Sequence, residues 1–371
     1  MIRVVHIITA LGSGGAERVL NLVASVPSHD LNQSVICLTD EGVYGRTLRE
    51  AGVTLHCLGM QRGRSPVGAF LALVRLLRRL KPDVVMTWLY HADLMGTLAG
   101  RLAGVRRIIW NIRCSSMDFA SYAPTTHRIV KVLARLSRVP SAVAANSQAG
   151  RQAHAALGYR PRRWAYLPNG FDTDFWRPDA NDRMRVRREL GLADDDRVVG
   201  LIARVDPQKG HEFFFEALEF LAPHHPRLRI LLIGKGTDEL PIPSGLRPQT
   251  RALGERRDVE VLMRTLDVCV VASTFGEGFP NVVGEAMASG VPCVATDVGD
   301  SALVVGETGR IVPPRNSQAL ATAMAELLDQ PSGHLHALGA RARARIQSEY
   351  SIASCFERYR SIFQNLANTS L

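Results

Sequence analysis

Short apolar runs rich in Val, Ile and Leu alternate with amphipathic stretches along almost the whole chain. This rhythm restricts the fold more than any other feature of the sequence. Arg3–Thr9, Ser34–Leu38, Thr54–Leu58, Val84–Thr87, Arg107–Asn111 and Ala142–Asn146 read as strands in the first half. Arg197–Ala203, Arg229–Gly234, Val268–Ala272, Cys293–Thr296 and Gly309–Val312 repeat the pattern in the second. Between them lie stretches with helical spacing: Ala16–Ser25, Val67–Leu80 and His127–Leu136, then Phe213–Leu221, Val259–Leu266, Asn281–Ala288 and Ser317–Leu328. Continuous apolar strands separated by helices are parallel strands covered on both faces. The expected class is therefore α/β, with two doubly wound Rossmann-like domains facing across a cleft, and 371 residues suffice for two.

The join is expected in Leu167–Pro178, where LPNGFDTDFWRP mixes Pro, Asn-Gly and aromatics. That divides the chain into an N-terminal domain over 1–168 and a C-terminal domain over 169–351, with a last helix over about 352–371 packing back on the first. The opening MIRVVHIITALGSGG has a short, β-branched apolar run followed by a glycine-rich turn, so it reads as a buried strand and not as a leader. The longest apolar stretch, Pro66–Val74, falls far short of the ~20 residues of a spanning helix. The six cysteines at 37, 57, 114, 269, 293 and 355 form no C-x-x-C pair, which fits reduced thiols in a cytoplasmic protein.

Charge is divided unevenly. Residues 1–170 hold 22 Lys and Arg against 8 Asp and Glu; the remainder holds 23 against 27. A basic half suits nucleic acid, an anionic membrane face or a phosphorylated substrate. Aromatics are only 6% and no nucleic-acid-binding signature is present, so nucleic acid is set aside.

Three segments carry chemistry. Gly12-Ser13-Gly14-Gly15-Ala16-Glu17 joins the first strand to the first helix. Glu17 stands where a dinucleotide fingerprint needs its third glycine, and the Gly-Lys-Ser/Thr end of a P-loop is missing. The loop reads either as an anion site at a helix N-terminus or as a tight turn whose Glu17 complements the helix dipole. In Gly200–Gly210, GLIARVDPQKG, Arg204 and Lys209 follow a strand and suit a diphosphate, though two solvated surface cations would read the same. In FGEGFPNVVGEAMASGVP, Glu277 lies on a glycine-rich loop and Glu285 in the following helix. Backbone N–H groups near Phe279–Val283 can meet a phosphate, Glu285 can accept both hydroxyls of a ribose, and Glu277 can meet a sugar hydroxyl or balance Lys209.

With seven residues between its two glutamates, this last segment resembles the E-x7-E region of retaining glycosyltransferases of family 4, which have the two-domain GT-B fold. LGSGGAERVL, LPNGFDTDFWRP, ARVDPQKG, LLIGKGTDE, RALGERRDVEVLMRTLDV and FGEGFPNVVGEAMASGVPCVATDVGD follow in the family's order. The resemblance implies a nucleotide-sugar donor, most simply a UDP-sugar, in the C-terminal domain. Arg204 and Lys209 would bind its diphosphate and steady the leaving group, Glu285 would hold the ribose and Glu277 would approach the sugar. Phe279, Pro280, Asn281 and Val282 would line sugar and phosphate, the Leu253-Gly254-Glu255-Arg256 turn would meet the base, and Gly14 and Gly15 would close on the phosphates. It also implies transfer with retention of configuration and no metal or other cofactor. Asp172-Thr173-Asp174 and the Asp194–Asp196 run accordingly read as turns.

One position departs from the family. Many members carry a His after the strand that here reads RRIIWNIRC; this chain has Arg113 there. His91, after the preceding strand, is the nearest first-domain alternative for orienting the acceptor, and Arg113 is a candidate for an acceptor phosphate. The acceptor implied is a glycan or a polyprenyl-diphosphate-linked sugar in cell-surface polysaccharide synthesis. Basic rows within Ser65–Lys81 and at Arg128, Lys131, Arg135 and Arg138 would hold the basic domain on the anionic inner face of the cell membrane. The alternatives are a GT-B sugar-nucleotide epimerase, or a nucleotide- or glycan-binding module with lost catalysis.

Overall fold

The computed structural model describes residues 1–61, 65–114 and 124–368. They form two compact units: Met1–Gly170 with Ile352–Leu371, and Phe171–Ser351.

In the first unit the chain runs β1 (Ile2–Ile8), α1 (Gly15–Ser25), β2 (Leu31–Cys37), α2 (Gly45–Glu50) and β3 (Thr54–Cys57). It then crosses back through α3 (Val67–Leu80) to β4 (Val84–Trp88). From there α4 (Tyr90–Leu102), β5 (Ile108–Ile112), α5 (Pro124–Leu136), β6 (Ala142–Ala145), α6 (Gln148–Ala156) and β7 (Trp164–Tyr166) follow. The parallel sheet has the order β3-β2-β1-β4-β5-β6-β7, so its direction of winding reverses between β1 and β4. Alternate residues of β1 serve the two faces. Val4 and Ile8 join a core with Val19, Leu20 and Val23 of α1, while Val5 and Ile7 join Leu73, Leu77, Ala99 and Leu133 of α3, α4 and α5.

The second unit repeats the design: α7 (Ala180–Glu189), β8 (Arg197–Ile202), α8 (His211–Leu221), β9 (Leu228–Ile233), β10 (Thr250–Ala252), α9 (Val259–Met263), β11 (Val268–Val271), α10 (Asn281–Ala288), β12 (Cys293–Thr296), α11 (Ser301–Val305), β13 (Arg310–Val312), α12 (Ser317–Leu328) and α13 (Ser332–Glu349). The order β10-β9-β8-β11-β12-β13 again reverses, here between β8 and β11. The final helix α14 (Ile352–Asn368) belongs to the first unit. There Tyr359 stacks on Trp88 at 6.0 Å, Cys355 Sγ donates to Pro168 O at 3.4 Å, and Arg360 and Gln364 hold Asp30.

Some elements differ from the sequence reading. β7 and β10 have three residues each, too short to show a strand period. α7 is strongly polar; it is fixed by Asp179, which accepts from Asn181 and Asp182 N–H, and by the Arg183–Asp267 pair. α9 ends at Met263, not Leu266, because Thr265 turns back onto Leu262 O. All six cysteines are free.

Candidate active site

In open α/β sheets the strand C-termini at the winding reversal form a crevice. Each unit has a cavity there. In the second unit, about 190 Å³ opens beyond β8 and β11, lined by Leu201–Ala203, Lys209, Val270–Ser273, Glu277 and Phe279–Val282. Lys209 ends a 3-10 turn, Pro207–Lys209, whose start is capped by Asp206 accepting from Gln208 N–H at 2.9 Å. Gly210 follows at φ +64, and a Cβ there would overlap Ala272 O, so glycine lets this turn lie against the end of β11. Lys209 Nζ donates to Glu277 Oε1, which also accepts from Ser273 Oγ at 2.8 Å. The pair is largely shielded, with side chains 23% and 13% exposed. Helix α10 starts at Asn281 on the same cavity and presents its positive end. A cation, a carboxylate and a helix N-terminus together can grip a phosphorylated, hydroxyl-bearing ligand.

The structure thus gathers Lys209, Glu277, Phe279, Pro280, Asn281 and Val282 at one cavity. Five other residues of the sequence reading lie outside its lining. Arg204 forks onto Asp206, with Nε at 3.2 Å and Nη2 at 3.0 Å, and is 60% exposed. Glu285 is buried within α10. Leu253 and Gly254 follow β10, where Gly254 N–H donates to Thr237 Oγ1 at 3.1 Å. Arg256 pairs with Asp258 on the surface at 2.7 Å. Ser273 was missed; its only sequence signal is its place just past an apolar strand.

The first unit's cavity, about 390 Å³, lies at the β1/β4 reversal and includes Thr9, Gly15, Glu17, Leu89, Tyr90, His91, Arg113 and Cys114. Gly14, the exposed N-cap of α1, does not line it; a Cβ there would meet the Glu17 carboxylate, which folds back toward the start of the helix. Burial pushes the Glu17 carboxyl above its usual range and lowers the His91 imidazole. Asp93 is fully buried; desolvation raises it well above a normal carboxylate although Thr87 Oγ1 donates to it at 2.5 Å. Tyr90 Oη lies 2.8 Å from both His154 Nε2 and Cys114 Sγ, and His154 Nδ1–H donates to Gly150 O at 2.7 Å. Arg113 is engaged within the unit. Its guanidinium donates to Leu167 O, Tyr359 Oη and Asn169 Oδ1 and lies over the Trp88 ring at 5.7 Å. An acceptor phosphate at Arg113 would compete with these bonds.

Both aspartate runs are turn chemistry, as read. Asp172 Oδ1 accepts from Asp174 and Phe175 N–H at 3.0 Å, and Asp196 Oδ2 accepts from Ala193 N–H at 2.8 Å. Among the described residues no three His, Cys, Asp or Glu side chains are grouped to hold a metal ion, and no helix is long and apolar enough to cross a membrane.

Two parallel-sheet Rossmann-like domains of seven and six strands define the GT-B class of glycosyltransferase. Anabaena Alr3699/HepE, solved with UDP, shares the fold with a TM-score of 0.83 and 23% identity, over 98% of this chain and 100% of that one. A family model described as Glycosyltransferase Family 4 matches residues 12–175, and one described as Glycosyl transferases group 1 matches 196–330. The lipopolysaccharide core biosynthesis mannosyltransferase LpsB of Rhizobium meliloti (strain 1021) is 31% identical over 237 residues, 58% of this chain and 67% of that protein. The UDP-Gal:alpha-D-GlcNAc-diphosphoundecaprenol alpha-1,3-galactosyltransferase of Escherichia coli is 23% identical over 80% of this chain and 78% of its own. The chain belongs to glycosyltransferase family 4 and is a glycosyltransferase.

Proposed function

We propose that this enzyme moves a sugar from a UDP-sugar to a glycan or polyprenyl-diphosphate-linked acceptor in cell-surface polysaccharide synthesis, retaining the anomeric configuration and using no metal. The observation that carries the reading is the Lys209–Glu277–Ser273 cluster facing the start of α10 across the second unit's cavity. Lys209 neutralises charge growing on the leaving diphosphate, the α10 N-terminus holds a phosphate, and Glu277 receives a sugar hydroxyl. Arg204 joins them when its guanidinium leaves Asp206 for phosphate. Glu285 holds the ribose, and the Leu253–Arg256 turn meets the base. In the first unit Gly14 and Gly15 at the start of α1 contact phosphate, while His91 orients the acceptor. A UDP-sugar is supported by the UDP and UDP-glucose complexes of Anabaena Alr3699/HepE, and a lipid-linked acceptor by the name of the Escherichia coli relative.

The acceptor's lipid would bring the enzyme to the cytoplasmic membrane face, and the first unit has a surface suited to it. Helices α3, α4 and α5 pack side by side on one face of its sheet. Leu71, Leu98, Leu102 and Val132 are exposed there among Arg75, Arg79, Arg101, Arg128, Lys131 and Arg135. The three helices contain a single acidic residue, Asp93, and it is buried. Cations near an anionic bilayer contribute about 1 kcal/mol each, and the leucines add apolar burial.

UDP release from a panel of UDP-sugars, with membrane lipid extract as acceptor source, tests the activity. The parent should turn over and Lys209→Ala should not. Equal release by both would remove Lys209 from the chemistry.

A further inference from the structure

Leu89 joins β4 to α4 with φ 72° and ψ 151°. Essentially only glycine enters that region freely, so a leucine there is strained, and such strain persists only where the surroundings over-determine the backbone. Here both neighbours are pinned. Trp88 is fully buried, its Nε1–H donates to His6 Nδ1 at 3.2 Å, and its ring stacks on Tyr359 with an interplanar angle of 7°. Tyr90 Oη is held by His154 and Cys114, and Leu89 O already accepts the first helical bond from Asp93 N–H at 2.9 Å. Relaxing Leu89 to negative φ would rotate the peptide that starts α4. His91, in the first turn of that helix, would move with it relative to the cavity it lines.

We propose that Leu89 is a positioning residue, whose enforced backbone fixes the first turn of α4 so that His91 stands at the acceptor cavity. This rests on the proposed role of His91. The other titratable groups at that cavity are Glu17, Tyr90, Asp93, Arg113 and Cys114, carried by the starts of α1 and α4 and the chain just past β5. Strain at the one position that leads into a site residue trades stability for a fixed geometry, the pattern expected of pre-organised sites.

Comparison of Leu89→Gly with Leu89→Ala in the full chain separates backbone from side chain. Both lose the leucine packing, but only glycine releases the strain. The Gly variant should melt about 2–4 °C above the Ala variant, although glycine ordinarily costs stability. Leu89→Met keeps both packing and strain and serves as the folded reference. The position of His91 is read by NMR titration of histidine-labelled protein, its signal identified by loss in His91→Gln. The Gly and Met variants hold the same backbone and should keep the parent's lowered His91 titration, whereas Leu89→Pro, whose ring locks φ near −65°, should move it toward the ordinary value of 6.5. An Ala variant as stable as Gly, or a folded Pro variant with an unchanged His91 titration, overturns the proposal. If His91→Gln releases UDP from UDP-glucose as the parent does, the role of His91 fails, while the melting order and titration still decide whether Leu89 positions it.

Discussion

Lys209 and Glu277 hold each other in the second unit's cavity, and each has a separate task once a donor arrives. Lys209→Ala should cut turnover by about 100-fold or more while UDP affinity falls less than tenfold, because its charge matters most as the diphosphate leaves. Single-turnover rates beside calorimetric affinities check this; equal losses would make Lys209 a simple binding residue. Glu285→Ala should weaken UDP binding by about tenfold, the worth of one or two hydrogen bonds to a carboxylate. An unchanged affinity would take Glu285 out of the donor site. The meeting of Lys209 and Glu277 at one cavity was legible in the sequence because each follows a strand end in its own motif; Glu285, read into the same site, lies outside the cavity lining. The pairing of Arg204 with Asp206 was not, because two residues of spacing on a loop leave the direction of both side chains open. Ser273 gave even less, as a serine after a strand has no spacing to betray it.

The elements most legible in the sequence are those whose apolar period is clean. Val67–Leu80, Asn281–Ala288 and Ser317–Leu328 are helices at the residues where the pattern places them. The short strands β7 and β10 owe their existence to pairing with β6 and β9, which no local pattern encodes. Helix α10 shows how packing overrides propensity. Alanine in place of Gly284 would favour the helix by ~1 kcal/mol, but its Cβ would strike the Phe171 ring, which lies against Phe279 at 6.0 Å. Gly284→Ala should therefore be destabilising by about 1–3 kcal/mol net, read as a fall in melting temperature. A rise would mean that the Phe171 contact is looser than described.

At the scale of the whole molecule the two units differ in charge, and burial of two histidines ties the first unit's stability to pH. His6 and His154 in the first unit are both lowered to about 4 by burial. Each proton would land on a nitrogen that now accepts a buried bond: Nδ1 of His6 from Trp88, and Nε2 of His154 from Tyr90. The unfolded chain binds those protons near pH 6.5 and the folded one only near 4. Their stabilisation is complete above 6.5 and is lost as pH falls to about 4, on the order of 3 kcal/mol each. Asp93 is raised and acts in the opposite sense, favouring the fold as pH falls, so Asp93→Asn should steepen the acid loss. Calorimetric melts from pH 7 to 4.5 should show one transition descending, and His6→Gln should flatten it; a pH-independent melt contradicts this. The basic excess legible in residues 1–170 becomes a surface only when α3, α4 and α5 lie side by side, which composition alone could not arrange. Binding to anionic vesicles should fall with salt but persist in part through the leucines. Leu71→Ser with Leu102→Ser should make it fully salt-sensitive, and binding indifferent to these changes or to lipid charge would rule the face out. The account as a whole depends on a nucleotide-diphosphate site in the second unit. Calorimetric titration with UDP, GDP and ADP, each with and without Mg²⁺, tests it most directly. UDP should bind in preference and with the same affinity whether or not the metal is present; binding that requires Mg²⁺, or no binding to any of the three, would contradict the account.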